Sequence, residues 1–201
     1  MGAPPRPPAL RLFAAVELPG SVRVEVDQAA APLRARYPSL RWTDLGGWHL
    51  TLAFLGPVPD ARHDAASQAL TRAVDGVAPF ALSLTGAAGS FRAGVVWAGI
   101  AGQPALESLA AAVRRELSGV VAPPGDERPF HPHLTLARAT GRAGEPVAAA
   151  AAAYRGPRTT WTVGRITLMA SRPGSQGARY EIVSAHPLTA TKMRDSEQTF
   201  G

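Results

Sequence analysis

The pentapeptide His-Leu-Thr-Leu-Ala occurs twice in this chain, at His49–Ala53 and again at His133–Ala137. The chain has only five histidines, so two in identical surroundings carry more weight than one would. Free imidazole has a pKa of ~6.5, and its acid and base forms coexist near neutrality. Two such rings on opposite walls of a cleft can work as a pair. One donates a proton to a leaving oxygen while the other takes a proton from an attacking water, each transfer contributing roughly 100- to 10,000-fold in rate. The hydroxyls of Thr51 and Thr135 can hydrogen-bond the oxygens of an anion held between the rings. A phosphate diester suits this chemistry, because attack and departure occur in line on opposite sides of phosphorus. A cyclic diester suits it best, since ring strain lowers the assistance that opening requires and no metal is then needed.

Side chains alternate faces along a strand. In the first copy, strict alternation places Trp48, Leu50, Leu52 and Phe54 on one face and His49, Thr51 and Ala53 on the other. In the second, Phe130, Leu134 and Leu136 oppose His131, His133, Thr135 and Ala137. Each strand thus has an oily side for a core and a His-x-Thr side for a site.

The elements around these strands repeat as well. A proline-rich lead over residues 1–10 is expected to be disordered. A strand over "LRLFAAVELP" follows, then a helix to about Tyr37 that Ser21 can cap, with Val22, Val26, Ala29 and Leu33 inward. A short strand, "SLRWTD", precedes the first HLTLA strand, and Asp60 can cap the next helix, to about Val74. "FALSLTGAAGSFRAGVVWAGI" reads as two strands turning at Gly89-Ser90. Pro104 opens a helix with Leu106, Leu109, Val113 and Leu117 buried. The loop "VAPPGDERP" leads to the second HLTLA strand, a helix over "EPVAAAAAAY", and a strand pair turning at Gly174-Ser175. The tail 189–201 is polar and expected to fray. The HLTLA copies are offset by 84 positions and the two Gly-Ser pairs by 85, which predicts one α+β unit used twice in a single domain over residues 11–188.

Composition narrows the classes. Apolar residues make up 46% and charged residues 18%, enough for a sizeable core. The net charge is +6, carried by arginine, with lysine only at Lys192. Such a balance favours a polyanionic partner, and arginine's planar fork suits phosphate; codon usage in a GC-rich genome explains it equally well. Without cysteine, disulfides and thiolate metal sites are excluded. No secretory signal and no apolar run of membrane-spanning length is evident, which predicts a cytoplasmic, monomeric protein. A nucleotide-binding P-loop is not present.

The paired motifs His49-Leu50-Thr51-Leu52 and His133-Leu134-Thr135-Leu136 resemble the two-histidine phosphoesterase superfamily. The longer stretches "RLFAAVELP", "RWTDLGGWHLTLAFLG", "FHPHLTLAR" and "SRPGSQGARYEIV" are similar to its bacterial RNA 2′,3′-cyclic phosphodiesterase branch, also called LigT-like or RNA 2′-5′ ligase-like enzymes. The resemblance spans about Arg11 to Leu188. It implies a bilobal α+β fold, two pseudo-twofold-related lobes with antiparallel sheets flanking a central cleft and helices outside. It also implies metal-independent hydrolysis of 2′,3′-cyclic phosphate at RNA ends or oligonucleotides to 2′-phosphomonoesters, with no cofactor, and 2′-5′ ligation as the reverse of ring opening. By position, His49 matches the proton donor, His133 the proton acceptor, and Thr51 and Thr135 the phosphate-binding threonines. Arg138 matches an arginine that commonly follows the second motif; strict alternation puts it on the wrong side, so its part is either indirect or requires a bulge. The Gly46-Gly47 pair departs from the usual family spelling.

Other readings compete with these. The histidines can be polar strand residues without chemistry, and Thr51 and Thr135 are good strand formers anywhere. His131-x-His133 can hold a metal, although metal sites usually recruit further ligands. Arg172 and Arg179 can reach an RNA backbone or simply solubilise a turn. Trp42, Phe130 and Tyr180 can stack a base, with core packing favoured for Phe130; His63 and His186 read as structural. Two alternatives to the phosphodiesterase remain: a non-catalytic RNA-binding module, and the same chemistry on a small cyclic nucleotide.

Overall fold

The computed structural model describes residues 9–101, 104–121, 129–141, 145–174 and 177–190. The turn residue Ser175, most of the "VAPPGDERP" loop, and nearly all of the expected lead and tail lie outside the described residues.

The first strand, β1 (Ala9–Glu17), alternates cleanly: Leu12, Ala14 and Val16 join the main core, while Phe13 and Ala15 lie on the opposite face with Met169. Helix α1 (Gly20–Arg36) follows, burying Val22, Val26, Ala30 and Leu33. Its N-cap is Pro19, with no side-chain cap, so Ser21 lies inside the first turn rather than capping it. Proline's fixed φ lets the chain leave β1 and enter the helix directly. Strands β2 (Leu40–Trp42) and β3 (His49–Pro59) come next. Asp60 does not cap a helix; it opens a 3-10 turn, Asp60–Arg62, before α2 (His63–Ala73).

Strand β4 (Phe80–Phe91) runs straight through Gly89-Ser90, and the reversal to β5 (Val95–Ile100) occurs at Arg92–Gly94. Two contacts explain the shift from the expected turn. Gly94 has φ +78°, a conformation glycine adopts freely. Gly89 pairs with Trp97 and lies under its indole; a Cβ there would come within 2.3 Å of the ring. The glycine is required for a close approach within a strand.

Helix α3 (Pro104–Ser118) buries Leu106, Leu109, Val113 and Leu117 as its spacing predicts. The second motif forms β6 (His133–Ala139), and α4 (Glu145–Ala153) follows. The last segment makes three strands instead of two, because the chain breaks at Gly164: β7 (Thr160–Val163), β8 (Arg165–Gly174) and β9 (Gly177–Pro187).

Two antiparallel sheets result, ordered β3-β1-β8-β9 and β2-β6-β5-β4-β7. The order β3-β1-β8 in one matches β6-β5-β4 in the other, motif strand for motif strand. In each series β1-α1-β3-α2-β4 and β5-α3-β6-α4-β8, the last strand crosses to the opposite sheet, so each half of the chain helps build both sheets. The helices pack on the outer faces around a core anchored by Trp48, Leu50, Leu52, Leu134 and Leu136.

Candidate functional site

His49 and Thr51 lie on β3 opposite Glu17 and Ala15 of β1; His133 and Thr135 lie on β6 opposite Gly99 and Trp97 of β5. Directly opposed residues share a face. The histidine faces are therefore shared with Phe13, Ala15 and Met169 in one sheet and with Trp97 and Gly99 in the other. The leucines between them, Leu50 and Leu134, are buried on the core sides.

Past each threonine the register slips by one residue, at Leu52 and at Leu136. A β-bulge inserts one extra residue and re-aims the side chains beyond it. Strict alternation therefore fails at the same letter in both copies. Ala53 and Ala137 join the buried core instead of the histidine face. The residues after them, Phe54 and Arg138, turn onto the histidine faces; Phe54 is 55% exposed and its ring lies 6.2 Å from Phe13. The carbonyls at both bulges are hydrogen-bonded, one by a side chain from a helix and one by the residue that continues β2 along the other side of β6. Arg114 Nε of α3 donates to Leu52 O at 3.1 Å, and Thr43 N donates to Leu136 O at 2.8 Å.

The two imidazoles are held alike. His49 Nδ1–H donates to Gly47 O at 2.9 Å, and His133 Nδ1–H donates to His131 O at 2.7 Å. A carbonyl only accepts, so each ring carries its proton on Nδ1 and presents an unprotonated Nε2. Gly47 owes its place to a tight turn: its N–H donates to Asp44 O, and a Cβ would lie 2.9 Å from both Asp44 Oδ1 and Thr43 Cγ2.

Burial holds both rings in the neutral form. His49 sits between Phe13 (centroids 4.7 Å) and Tyr180 (4.9 Å, edge-on), and this desolvation lowers its pKa to about 4. That burial outweighs the hydrogen bond to Gly47, and the positive charges of Arg138 and Arg23, with that of His133 whenever it is protonated, push in the same direction as burial. His133, edge-on to Phe91 at 5.0 Å, is lowered first by desolvation and further by His131 and Arg138. Arg138 thus acts electrostatically on both histidines, and His133 acts on His49. Strands β3 and β6 lie against one another, so the two motif strands, one from each sheet, meet here. Neither threonine hydroxyl is engaged by another group among the described residues.

The flanking candidates sort differently. Trp42 is structural: its Nε1 donates to Tyr37 O and its ring packs on the core. Phe130 also packs on the core, under the Arg114 guanidinium at 5.2 Å. Tyr180 stands in the site, against His49. Arg172 pairs with Glu181 at 2.7 Å on the exposed hairpin, with Arg179 opposite it in register. His186 is buried between Thr71 and Ser184, and His63 Nε2 hydrogen-bonds Val58 O. His131 precedes β6 rather than lying on it. No three His, Cys, Asp or Glu side chains gather among the described residues. Phe13, Phe91, Trp97 and Arg41, the cross-strand partner of Arg138, were not singled out by sequence. Their places depend on pairings between strands distant in sequence, and only the aromaticity of three of them offered a signal.

Among the described residues no helix is long and apolar enough to cross a membrane. The chain is 31% identical over 133 residues, 63% of its length, to the RNA 2′,3′-cyclic phosphodiesterase of Geobacillus stearothermophilus, and spans 41% of that relative. It is 36% identical over 134 residues, 64% of its length, to the RNA 2′,3′-cyclic phosphodiesterase of Escherichia coli K12, and spans 71% of that relative. The crystal structure of E. coli LigT complexed with 3′-AMP superposes with a TM-score of 0.75 at 32% identity, over 90% of this chain and 99% of that one. Residues 19–174, which carry both HLTLA strands, match the family model of the 2′-5′ RNA ligase superfamily, and the chain belongs to that superfamily.

Proposed function

We propose that the protein hydrolyses 2′,3′-cyclic phosphate ends of RNA to 2′-phosphomonoesters, without a metal, by acid/base catalysis between His49 and His133. The observation that carries this reading is the matched pair of imidazoles on two bulged strands, each with Nδ1 tied to a carbonyl and, among the described residues, no partner on Nε2, under the shared influence of Arg138. The names of the two curated relatives support the substrate.

In this reading His133, neutral at pH 7, takes a proton from water through Nε2 as the water attacks phosphorus. The phosphate oxygens accept from the Thr51 and Thr135 hydroxyls and from the Arg138 guanidinium, which stabilise the charge developing on them. The bond from phosphorus to the 3′ oxygen breaks, and His49 gives that oxygen its proton. A donor must first be charged, yet His49 alone has a pKa of about 4. The anion itself supplies the remedy, because a negative charge beside an imidazole favours its protonated form. Binding and acid activation of His49 are therefore coupled. With a 5′-hydroxyl in place of water, the same steps form a 2′-5′ linkage. The domain in this proposal is the single bilobal unit over residues 11–188, and the matching strand orders of the two sheets support its origin by duplication.

The test is turnover of a short RNA bearing a 2′,3′-cyclic phosphate. His49→Ala and His133→Ala are each expected to lose at least about 100-fold in kcat while keeping the native circular dichroism, and EDTA is expected to leave the wild type active. Full activity in both variants would refute the assignment, and loss with EDTA reversed by a divalent cation would refute metal independence. The 3′-AMP in the related E. coli structure favours a second reading, the same chemistry on a mononucleotide cyclic phosphate. Comparing kcat/KM on that compound and on the RNA end decides between them.

A further inference from the structure

Beside His133 the second sheet carries a cavity of about 290 Å³, lined by Thr85, Ala87, Trp97, Gly99 and His131 among others. Trp97 and Gly99 are the cross-strand partners of Thr135 and His133, so the cavity opens on the same face as the acceptor histidine. Its shape is built. The Trp97 indole packs directly on Gly89, tilted against Phe91 at 5.4 Å, with the His131 ring edge-on at 4.8 Å. At Gly99 the backbone approaches Thr85 so closely that a Cβ would come within 2.6 Å of the hydroxyl. A mostly apolar cavity with an aromatic wall and a hydroxyl, at the small end of the ligand-site range, fits a single nucleobase.

The chemistry says which base. In-line displacement puts the ribose bearing the cyclic phosphate on the side of His49, because His49 protonates that ribose's own 3′ oxygen. The nucleophile arrives on the side of His133. We infer that the Trp97–His131 cavity binds the base of an incoming nucleoside whose 5′-hydroxyl replaces water, which rests on the function proposed above. The 5′ oxygen attacks phosphorus and gives its proton to His133 Nε2. The bond to the 3′ oxygen breaks, and that oxygen takes the proton of His49. The product is a 2′-5′ phosphodiester with a free 3′-hydroxyl, and no further reactant is consumed.

Partitioning isolates this step. Full-length protein is given an RNA with a 2′,3′-cyclic phosphate end and a 5′-hydroxyl oligonucleotide at increasing concentration, and the ratio of 2′-5′-linked product to 2′-phosphate is measured. Both products share the leaving group, the acid and the phosphate contacts, so a general loss of catalysis leaves the ratio unchanged. Ala87→Leu, which fills the cavity from an exposed position, and Trp97→Ala, which removes its wall, are each expected to lower the ratio about tenfold. An unchanged ratio in both variants, or wild-type hydrolysis with no linked product at any oligonucleotide concentration, would overturn the inference while leaving the phosphodiesterase standing. Absence of wild-type hydrolysis would instead remove the function on which it rests.

Discussion

His49 and His133 are locked in the same tautomer by the same device, a hydrogen bond from Nδ1 to the carbonyl two residues upstream, Gly47 O in one strand and His131 O in the other. Neither lock depends on a side chain, so both survive substitution at position 131. Their shared environment has a consequence for stability. Both pKa values are lowered, that of His49 from 6.5 to about 4. An unfolded chain takes up the His49 proton near pH 6.5, the native one only near 4, so between these values the unfolded state binds more protons. His49 thus favours the native state fully above pH 6.5, and that contribution declines as pH falls toward 4. Unfolding in urea at pH 4.5, 5.5 and 7 is expected to show this loss. His49→Gln is expected to flatten the slope by at most ~1.4 kcal/mol per pH unit. An unaltered slope in the variant would show that the ring is not desolvated.

An anion in the site should reverse that shift. Sulfate stays doubly charged from pH 5 to 8 and so reports on the protein's own protons. Titration calorimetry in two buffers of different ionisation enthalpy is expected to show proton uptake approaching one per sulfate near neutral pH. The affinity is expected to rise by up to about tenfold per unit of falling pH. Arg138→Gln is expected to weaken sulfate binding and, by removing a positive charge that lowers both histidines, to raise both pKa values in the empty site. Sulfate binding independent of pH would contradict the coupling of binding to acid activation.

The threonines separate hydrogen bonding from packing. Thr51 and Thr135 are half-buried on the histidine faces. Valine keeps the branched shape and strand preference while deleting the hydroxyl. Thr51→Val and Thr135→Val are expected to melt within a few degrees of the wild type yet lose roughly 100-fold in kcat, the scale of one oxyanion donor. A loss in KM alone would mean that the hydroxyls bind the ground state and transition state equally.

What could be read before folding obeyed local rules. The apolar spacing of Leu106, Leu109, Val113 and Leu117 and the alternation through His49, Leu50 and Thr51 are properties of one segment, and both survive in the structure. The failures were set by partners distant in sequence. Gly89-Ser90 has turn composition, but the Trp97 indole on the neighbouring strand needs a flat glycine beneath it. The face of Phe54 and Arg138 hinges on bulges at Leu52 and Leu136, and a bulge is a relation between two strands. Phe13, Phe91 and Tyr180 surround the histidines because β1, β4 and β9 are brought there by sheet order. No window of sequence contains that order.

The bulge at Leu52 makes a last prediction, about a residue remote from the reacting atoms. Arg114 reaches from α3 to give Leu52 O its hydrogen bond at 3.1 Å, and the same guanidinium lies over the Phe130 ring. Removing that donor takes a hydrogen bond from a part-buried carbonyl, and leaving such a group unpaired costs about 1–3 kcal/mol. Arg114→Met keeps much of the stem's packing on Phe130 and deletes the donor. It is expected to lower stability by an amount in that range, measured by urea unfolding at pH 7. It is also expected to reduce activity, because the bulge turns Phe54 toward Phe13 and that aromatic wall shapes the surroundings of His49. Since His49 owes its lowered pKa first to desolvation, loosening the wall should raise the pKa that His49 contributes to the kcat/KM profile. A variant that lost stability but kept the wild-type pH profile would show that Arg114 supports the fold without positioning the site.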